Sequence, residues 1–195
     1  MISDGLVSSM TEEEYLEGEQ RAEVKHEYCG GRVYPLHPVY PPHSGFGTTD
    51  GHELVAGNVF AALLAHLRGK GCRVLKSDMK LRLQFRGKTL HYYPDIMVAC
   101  DPADAHPLYR ERPRLLIEVL SEDWKKDVVE KAATYPRIET LDEYVTIDPN
   151  PDAPEVQISR RADGWEPLEI VRGLDAQFPL RSVALTLKVA DLFAV

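Results

Sequence analysis

The sequence predicts an α+β fold, close to α/β, with a central mixed and mainly antiparallel β-sheet flanked by helices. Three observations carry that expectation. Segments of strand character recur from about residue 26 to the end of the chain. The stretch from His52 to Arg68 repeats its apolar residues with the period of an amphipathic helix. "RLLIEVL" (114–120) is apolar on both alternating faces, as a strand covered on both sides must be.

Taken in order, Thr11 followed by Glu14 matches a capping box and starts a short acidic helix near Glu12. "VKHEYCGGRVYPL" reads as two short strands turning at Cys29-Gly30-Gly31, a β-hairpin. Residues 1–10 are expected to be flexible, and the Pro-, Gly- and His-rich residues 35–51 to form a mobile loop. After the His52–Arg68 helix comes a short strand, "CRVLK". In "MKLRLQF", Met79, Leu81, Leu83 and Phe85 alternate with Lys80, Arg82, Gln84 and Arg86, which assigns the first set inward and the second outward. "RGK" turns the chain into "TLHYYPDIMVAC", and a proline-rich excursion covers 101–113. A helix over 123–135 stops at Pro136. "EYVTID" is a strand, and "EVQISRR", "WEPLEIV" and "VALTLKV" supply two or three more.

The length of 195 residues suits a single domain over the whole chain, large enough to bury a core without staples. No apolar run is long enough to span a bilayer, and the first residues lack the pattern of a secretory leader. The three cysteines, Cys29, Cys72 and Cys100, are odd in number and widely spaced, so neither a disulfide framework nor a zinc pattern is expected. The expected location is therefore a reducing cytoplasm. The net charge of −8 does not by itself recommend a polyanionic partner. Its distribution is uneven, however. Residues 68–88 hold eight Lys/Arg against Asp78, and residues 12–27 hold seven glutamates against Arg21 and Lys25.

The chemistry lies in two carboxylates set in apolar strands, Asp95 in "YYPDIMV" and Glu118 in "RLLIEVLS". A buried carboxylate needs a partner. One hard divalent cation would relieve both the desolvation and the mutual repulsion of the pair, and Mg²⁺ takes one or two protein carboxylates with water and phosphate completing its shell. Each acid alone also fits a strand-end residue paired to Arg or Lys. On the following helix, Trp124, Val128, Lys131 and Tyr135 share one face, which puts Lys131 in an apolar stripe aimed at the sheet. Its alternatives are an exposed pair with Asp127, or an ammonium reaching the two acids, where it would orient a water and stabilise charge on a phosphate. Histidines 37, 43 and 52 have no regular metal-ligand spacing.

The ordered set "HEYCGGRV" (26–33), His52 opening a helix, "YYPDIMV", "RLLIEVLS", Asp127…Lys131…Tyr135 and "DEYVTIDP" (142–149) resembles the Uma-type restriction endonuclease family, within the PD-(D/E)XK nuclease superfamily. The resemblance runs from about Thr11 to "LTLKVADLF" (185–193). It implies a restriction-endonuclease-like core with an extra N-terminal β-hairpin. It further implies Asp95, Glu118 and the Val119 carbonyl as ligands of Mg²⁺ or Mn²⁺, and Glu27 as a further acid near the metal. Lys131 would replace the superfamily lysine, whose usual position is Leu120 here. Gly30 and Arg32 also depart from the family, which carries acids at those places. The implied activity is metal-assisted hydrolysis of DNA phosphodiesters by a homodimer, with Lys80, Arg82, Arg86 and His52 as residues that contact substrate. Two other functions fit the sequence: a nuclease fold that binds nucleic acid or protein without cutting, and a hydrolase of small phosphoesters.

Overall fold

A computed structural model describes residues 10–36, 49–120 and 130–195. In chain order the elements are α1 (Glu12–Glu19), β1 (His26–Cys29), β2 (Arg32–Pro35), α2 (Asp50–Leu67), β3 (Arg73–Lys76), β4 (Lys80–Phe85), β5 (Lys88–Tyr92) and β6 (Ile96–Ala99). They continue with β7 (Tyr109–Arg110), β8 (Pro113–Val119), β9 (Glu143–Asp148), β10 (Glu155–Arg160), β11 (Glu169–Arg172), β12 (Gln177–Leu180) and β13 (Leu185–Lys188). Residues 130–134 are helical and lead into a 3-10 turn at Tyr135–Arg137. Most of the mobile loop expected at 35–51, the first nine residues, and Trp124, Asp127 and Val128 of the expected helix lie outside the described residues.

The local signals act as their chemistry requires. The Thr11 hydroxyl accepts from the Glu14 N–H at 3.2 Å and the Glu14 carboxylate accepts from the Thr11 N–H at 2.8 Å, closing the capping box of α1. The β1–β2 hairpin turns on Gly30 and Gly31, at φ +53° and +97°, where a glycine pair meets the left-handed demand of a tight turn. The β4–β5 hairpin makes the same kind of turn with Arg86 (φ +50°) and Gly87 (φ +73°), so Arg86 belongs to a turn and not to the strand row.

The strands form two principal sheets in place of the one central sheet expected. One is five-stranded, ordered β2-β1-β5-β4-β7, and absorbs the N-terminal hairpin. The other is six-stranded, ordered β11-β10-β9-β8-β6-β3, and is antiparallel except where β8 runs parallel to β9. Its alternating register divides the core. Leu115, Ile117 and Val119 of β8 face α2 and the β12–β13 hairpin, packing on Val55, Val59, Leu63, Phe178 and Leu180. Leu116 faces the other way, into a second cluster with Leu81, Leu83, Leu90, Tyr92, Tyr135 and Tyr144. Each fully buried Leu or Ile contributes roughly 1.5–3 kcal/mol of transfer free energy, which explains why the two central strands admit so few polar residues. The short strands β7 and β12 had no pattern strong enough to predict them.

The cysteines depart from expectation. Cys72 and Cys100 are joined in a disulfide, with only Cys29 free. β3 pairs antiparallel with β6 through Arg73↔Ala99, so Cys72 and Cys100 occupy the next position along the same ladder. Sequence spacing hides that register, and the pairing removes the basis for expecting a reducing compartment. No helix among the described residues is long and apolar enough to cross a membrane.

α1 docks on the five-stranded sheet through the buried Tyr15, a Glu19–His26 pair and an ionic cluster at Glu12. Glu12 accepts from Arg82 Nε at 2.6 Å, from Arg82 Nη2 at 3.1 Å and from His91 Nε2 at 2.8 Å. The Arg82 hydrogen bond holds Glu12 below its ordinary carboxylate value, and burial holds His91 below its ordinary imidazole value. Both groups have depressed folded-state pKa values, so the stability they contribute is complete above their ordinary values of 6.5 and 4.5 and is lost as pH falls. Between pH 7.5 and 4 the His91→Gln variant is expected to lose less melting temperature than the unsubstituted protein. Identical pH slopes in the two proteins would contradict this account.

Candidate active site

The ends of β6 and β8 bring the two acids together. β6 and β8 pair through Ile96↔Ile117, and one further step along the ladder sets Asp95 level with Glu118. Both precede or occupy strands in which nearly every residue is buried. Glu118 points to the face of Leu116 and Tyr135, away from α2, because β8 alternates and its odd residues face the helix. On that face, Glu118 stands level with Thr146 of β9, then Gln157 of β10 and Ile170 of β11, in one row across the sheet.

Each carboxylate is held by one of its two oxygens. Glu118 Oε1 accepts from Lys131 Nζ at 3.0 Å and from the Tyr135 hydroxyl at 2.8 Å. Asp95 Oδ2 accepts from the Val119 N–H at 2.8 Å and lies 3.3 Å from His52 Nε2. Among the described residues no donor meets Glu118 Oε2 or Asp95 Oδ1.

The electrostatics follow from burial. Burial pushes the Glu118 carboxyl up, and Lys131 opposes that rise while Asp95 adds to it. For Lys131, burial pulls the pKa down, but Glu118 and then Glu27 pull harder and the ammonium ends above its ordinary value. His52 is likewise lowered by burial and raised more strongly by its hydrogen bond to Asp95. Glu27 of β1 therefore joins the cluster through its field on Lys131 and on Tyr135. With three carboxylates around one ammonium, the site carries an excess of negative charge that a divalent cation would balance. The donor set suits a hard cation bound partly by protein and partly by water or phosphate. Among the described residues no group of three or more His, Cys, Asp or Glu is placed to hold a metal ion, so the protein would supply at most two side-chain ligands.

The remaining substrate candidates are placed differently from one another. His52, in the first turn of α2, is buried against Asp95, with its backbone N–H on the Thr49 hydroxyl. Lys80 is 7% exposed, with its ammonium 5.2 Å over the Tyr93 ring, two residues before Asp95. Arg82 is engaged by Glu12 and Glu111, and Arg86 lies over Phe85 in its turn. The outward row of β4 is thus largely occupied by the protein itself. Tyr135 was legible only as a member of the helix face, because nothing in its local sequence says that its hydroxyl reaches Glu118.

The architecture is that of restriction-endonuclease-like proteins. It superposes with a TM-score of 0.66 on a crystal structure described as a "putative nuclease belonging to DUF820" from Anabaena variabilis, at 18% identity over 91% of this chain and 96% of that one. Residues 12–190 match the model of the Uma2 family, "Putative restriction endonuclease", and the chain belongs to that family. Two relatives come from Synechocystis sp. The uncharacterized protein slr1290 is 26% identical over 187 residues, covering 94% of this chain and 91% of that protein. The uncharacterized protein sll1609 is 28% identical over 143 residues, covering 71% and 75%.

Lys131 and Glu118 are 7% and 6% exposed, so removing one leaves a buried charge without its counterpart. Lys131→Ala is expected to lower unfolding stability in urea by roughly 3–5 kcal/mol. Lys131→Ala with Glu118→Leu should recover most of that loss. A double variant no more stable than Lys131→Ala alone would show that the pair is not what holds this part of the fold.

Proposed function

We propose that this protein is a nuclease that hydrolyses phosphodiester bonds of DNA with the help of Mg²⁺ or Mn²⁺. The observation that carries the reading is the level pairing of Asp95 and Glu118 at adjacent strand ends, with Lys131 Nζ 3.0 Å from Glu118. Membership of the Uma2 family supports the same class of activity.

In this reading Asp95 and Glu118 would hold the cation, with the Val119 carbonyl as a further ligand and Glu27 as a nearby acid. A bound divalent cation supplies Lewis-acid stabilisation of the phosphate and lowers the pKa of its water. The protein's own contribution is orientation. Lys131 and Tyr135 fix one oxygen of Glu118, and the Val119 N–H and His52 fix one oxygen of Asp95, so both carboxylates are oriented before anything binds. Lys131 positions the attacking water and adds positive charge where the phosphate becomes more negative. The lysine enters from the helix, which accounts for a leucine at position 120. Lys80, beside Tyr93, is the candidate for holding a neighbouring phosphate.

Supercoiled plasmid incubated with Mg²⁺ or Mn²⁺ should be nicked, and Asp95→Asn and Glu118→Gln should each reduce nicking at least a hundredfold while the circular dichroism spectrum stays native. Nicking that survives Asp95→Asn would refute the site, and tight DNA binding without nicking in either metal would favour a non-cutting binding module. Removal of the hydroxyl that orients Glu118, by Tyr135→Phe, should weaken Mn²⁺ affinity about 10–100-fold in calorimetry, as loss of outer-shell partners does elsewhere.

A further inference from the structure

The two ends of the six-stranded sheet are unlike. β3, at one end, carries Arg73 and Lys76, and charge on an edge strand discourages other strands from pairing with it. At the other end, Leu168, just before β11, and Ile170 within it are 46% and 44% exposed. The strand's charges are already neutralised within the chain: Arg172 by Glu155, and Glu169 by Arg160 and Arg181. Among the described residues no strand pairs with the outer side of β11.

The ladder to β10 fixes which groups face outward. Gly173 donates its N–H to the Pro154 carbonyl at 3.2 Å, and Val156↔Val171 and Ile158↔Glu169 continue that register. Alternation along an antiparallel pair then turns the N–H and C=O of Leu168, Ile170 and Arg172 toward the open edge. The same three side chains share one face of the strand, opposite the partly buried Val171.

We propose that β11 is a homodimer interface, on which the β11 of a second copy pairs antiparallel about a two-fold axis through Ile170. Charge selects the register. An axis through Glu169 would set two glutamates opposite each other, and one through Arg172 would do the same with two arginines, which is destabilising directly across a ladder. An axis through Val171 would run the pairing into the bend at Gly173. Centred on Ile170, residues 168–172 pair along their full extended length. Ile170 then packs on its own copy, and Leu168 on the aliphatic stem of Arg172 from the other chain. The two six-stranded sheets become one continuous sheet. The Glu118 rows lie seven strand steps apart, roughly 34 Å at the usual inter-strand spacing. Sheet twist of roughly 20–25° per step turns the two sites away from each other.

Light scattering at about 50 µM should give twice the 22.0 kDa chain mass. Ile170→Lys, which opposes two ammonium groups on the axis, should return the mass of one chain. Leu64→Lys, on the exposed side of α2, should leave the dimer intact. In a Cys29→Ser background, Ile170→Cys should form an intermolecular disulfide with a mild thiol oxidant, since opposed residues of a hydrogen-bonded pair lie about 5.5 Å apart at Cα, within disulfide reach. Val171→Cys should not. A single-chain mass for the unsubstituted protein would overturn the proposal. So would a dimer that survives Ile170→Lys, or one that cross-links through position 171 and not 170. None of these readouts depends on nuclease activity, so the interface and the proposed chemistry can fail separately.

Discussion

The ion pair between Lys131 and Glu118 is the contact on which this arrangement depends. Burial between apolar strands pushes the pKa of this 6% exposed carboxylate up. Lys131 opposes that rise, and Tyr135 fixes the rotamer through the same oxygen. The two acids are also tied to each other by a single peptide step. The residue that follows Glu118, Val119, gives its N–H to Asp95. Displacement of β8 along β6 would therefore disturb both carboxylates together, and the buried faces of both strands resist such a slip.

Much of this was legible in the sequence. Apolar periodicity located α2, β4, β8 and β9, and the embedded positions of Asp95 and Glu118 marked them as residues in need of partners. Lys131 stood out for the same reason, as a cation within an apolar helix face. What stayed hidden depended on register and on long-range contact. The Cys72–Cys100 pair appears only when β3 is laid against β6. Lys80 reads as an outward lysine from alternation alone, yet α1 and Tyr93 cover that side of the strand. The division of the strands between two sheets is likewise a matter of which faces meet, and period-two patterning assigns faces without naming their neighbours.

Gly30 and Leu120, which the sequence resemblance marks as unusual, have definite places in the structure. A Cβ at position 30 would lie 2.7 Å from Lys88 Cδ, at a backbone φ of +53°. That space is occupied by the Lys88 stem, and glycine suits both the turn and that neighbour. Leu120 donates its N–H to the Ile147 carbonyl and continues the parallel ladder between β8 and β9. Position 120 therefore extends the sheet, and the cation for Glu118 comes from another element.

The disulfide also changes the covalent topology of the chain. Residues 72–100 form a closed ring that holds β3, β4, β5 and β6, and Asp95 lies inside it while Glu118 and Lys131 lie outside. A break at the exposed β4–β5 turn would open the ring without releasing either piece. Asp95 would remain bonded through sulfur to the segment that carries α2, and through the main chain to β8. The acid on β6 is thus anchored by two independent covalent routes, one of which can be undone by a reductant.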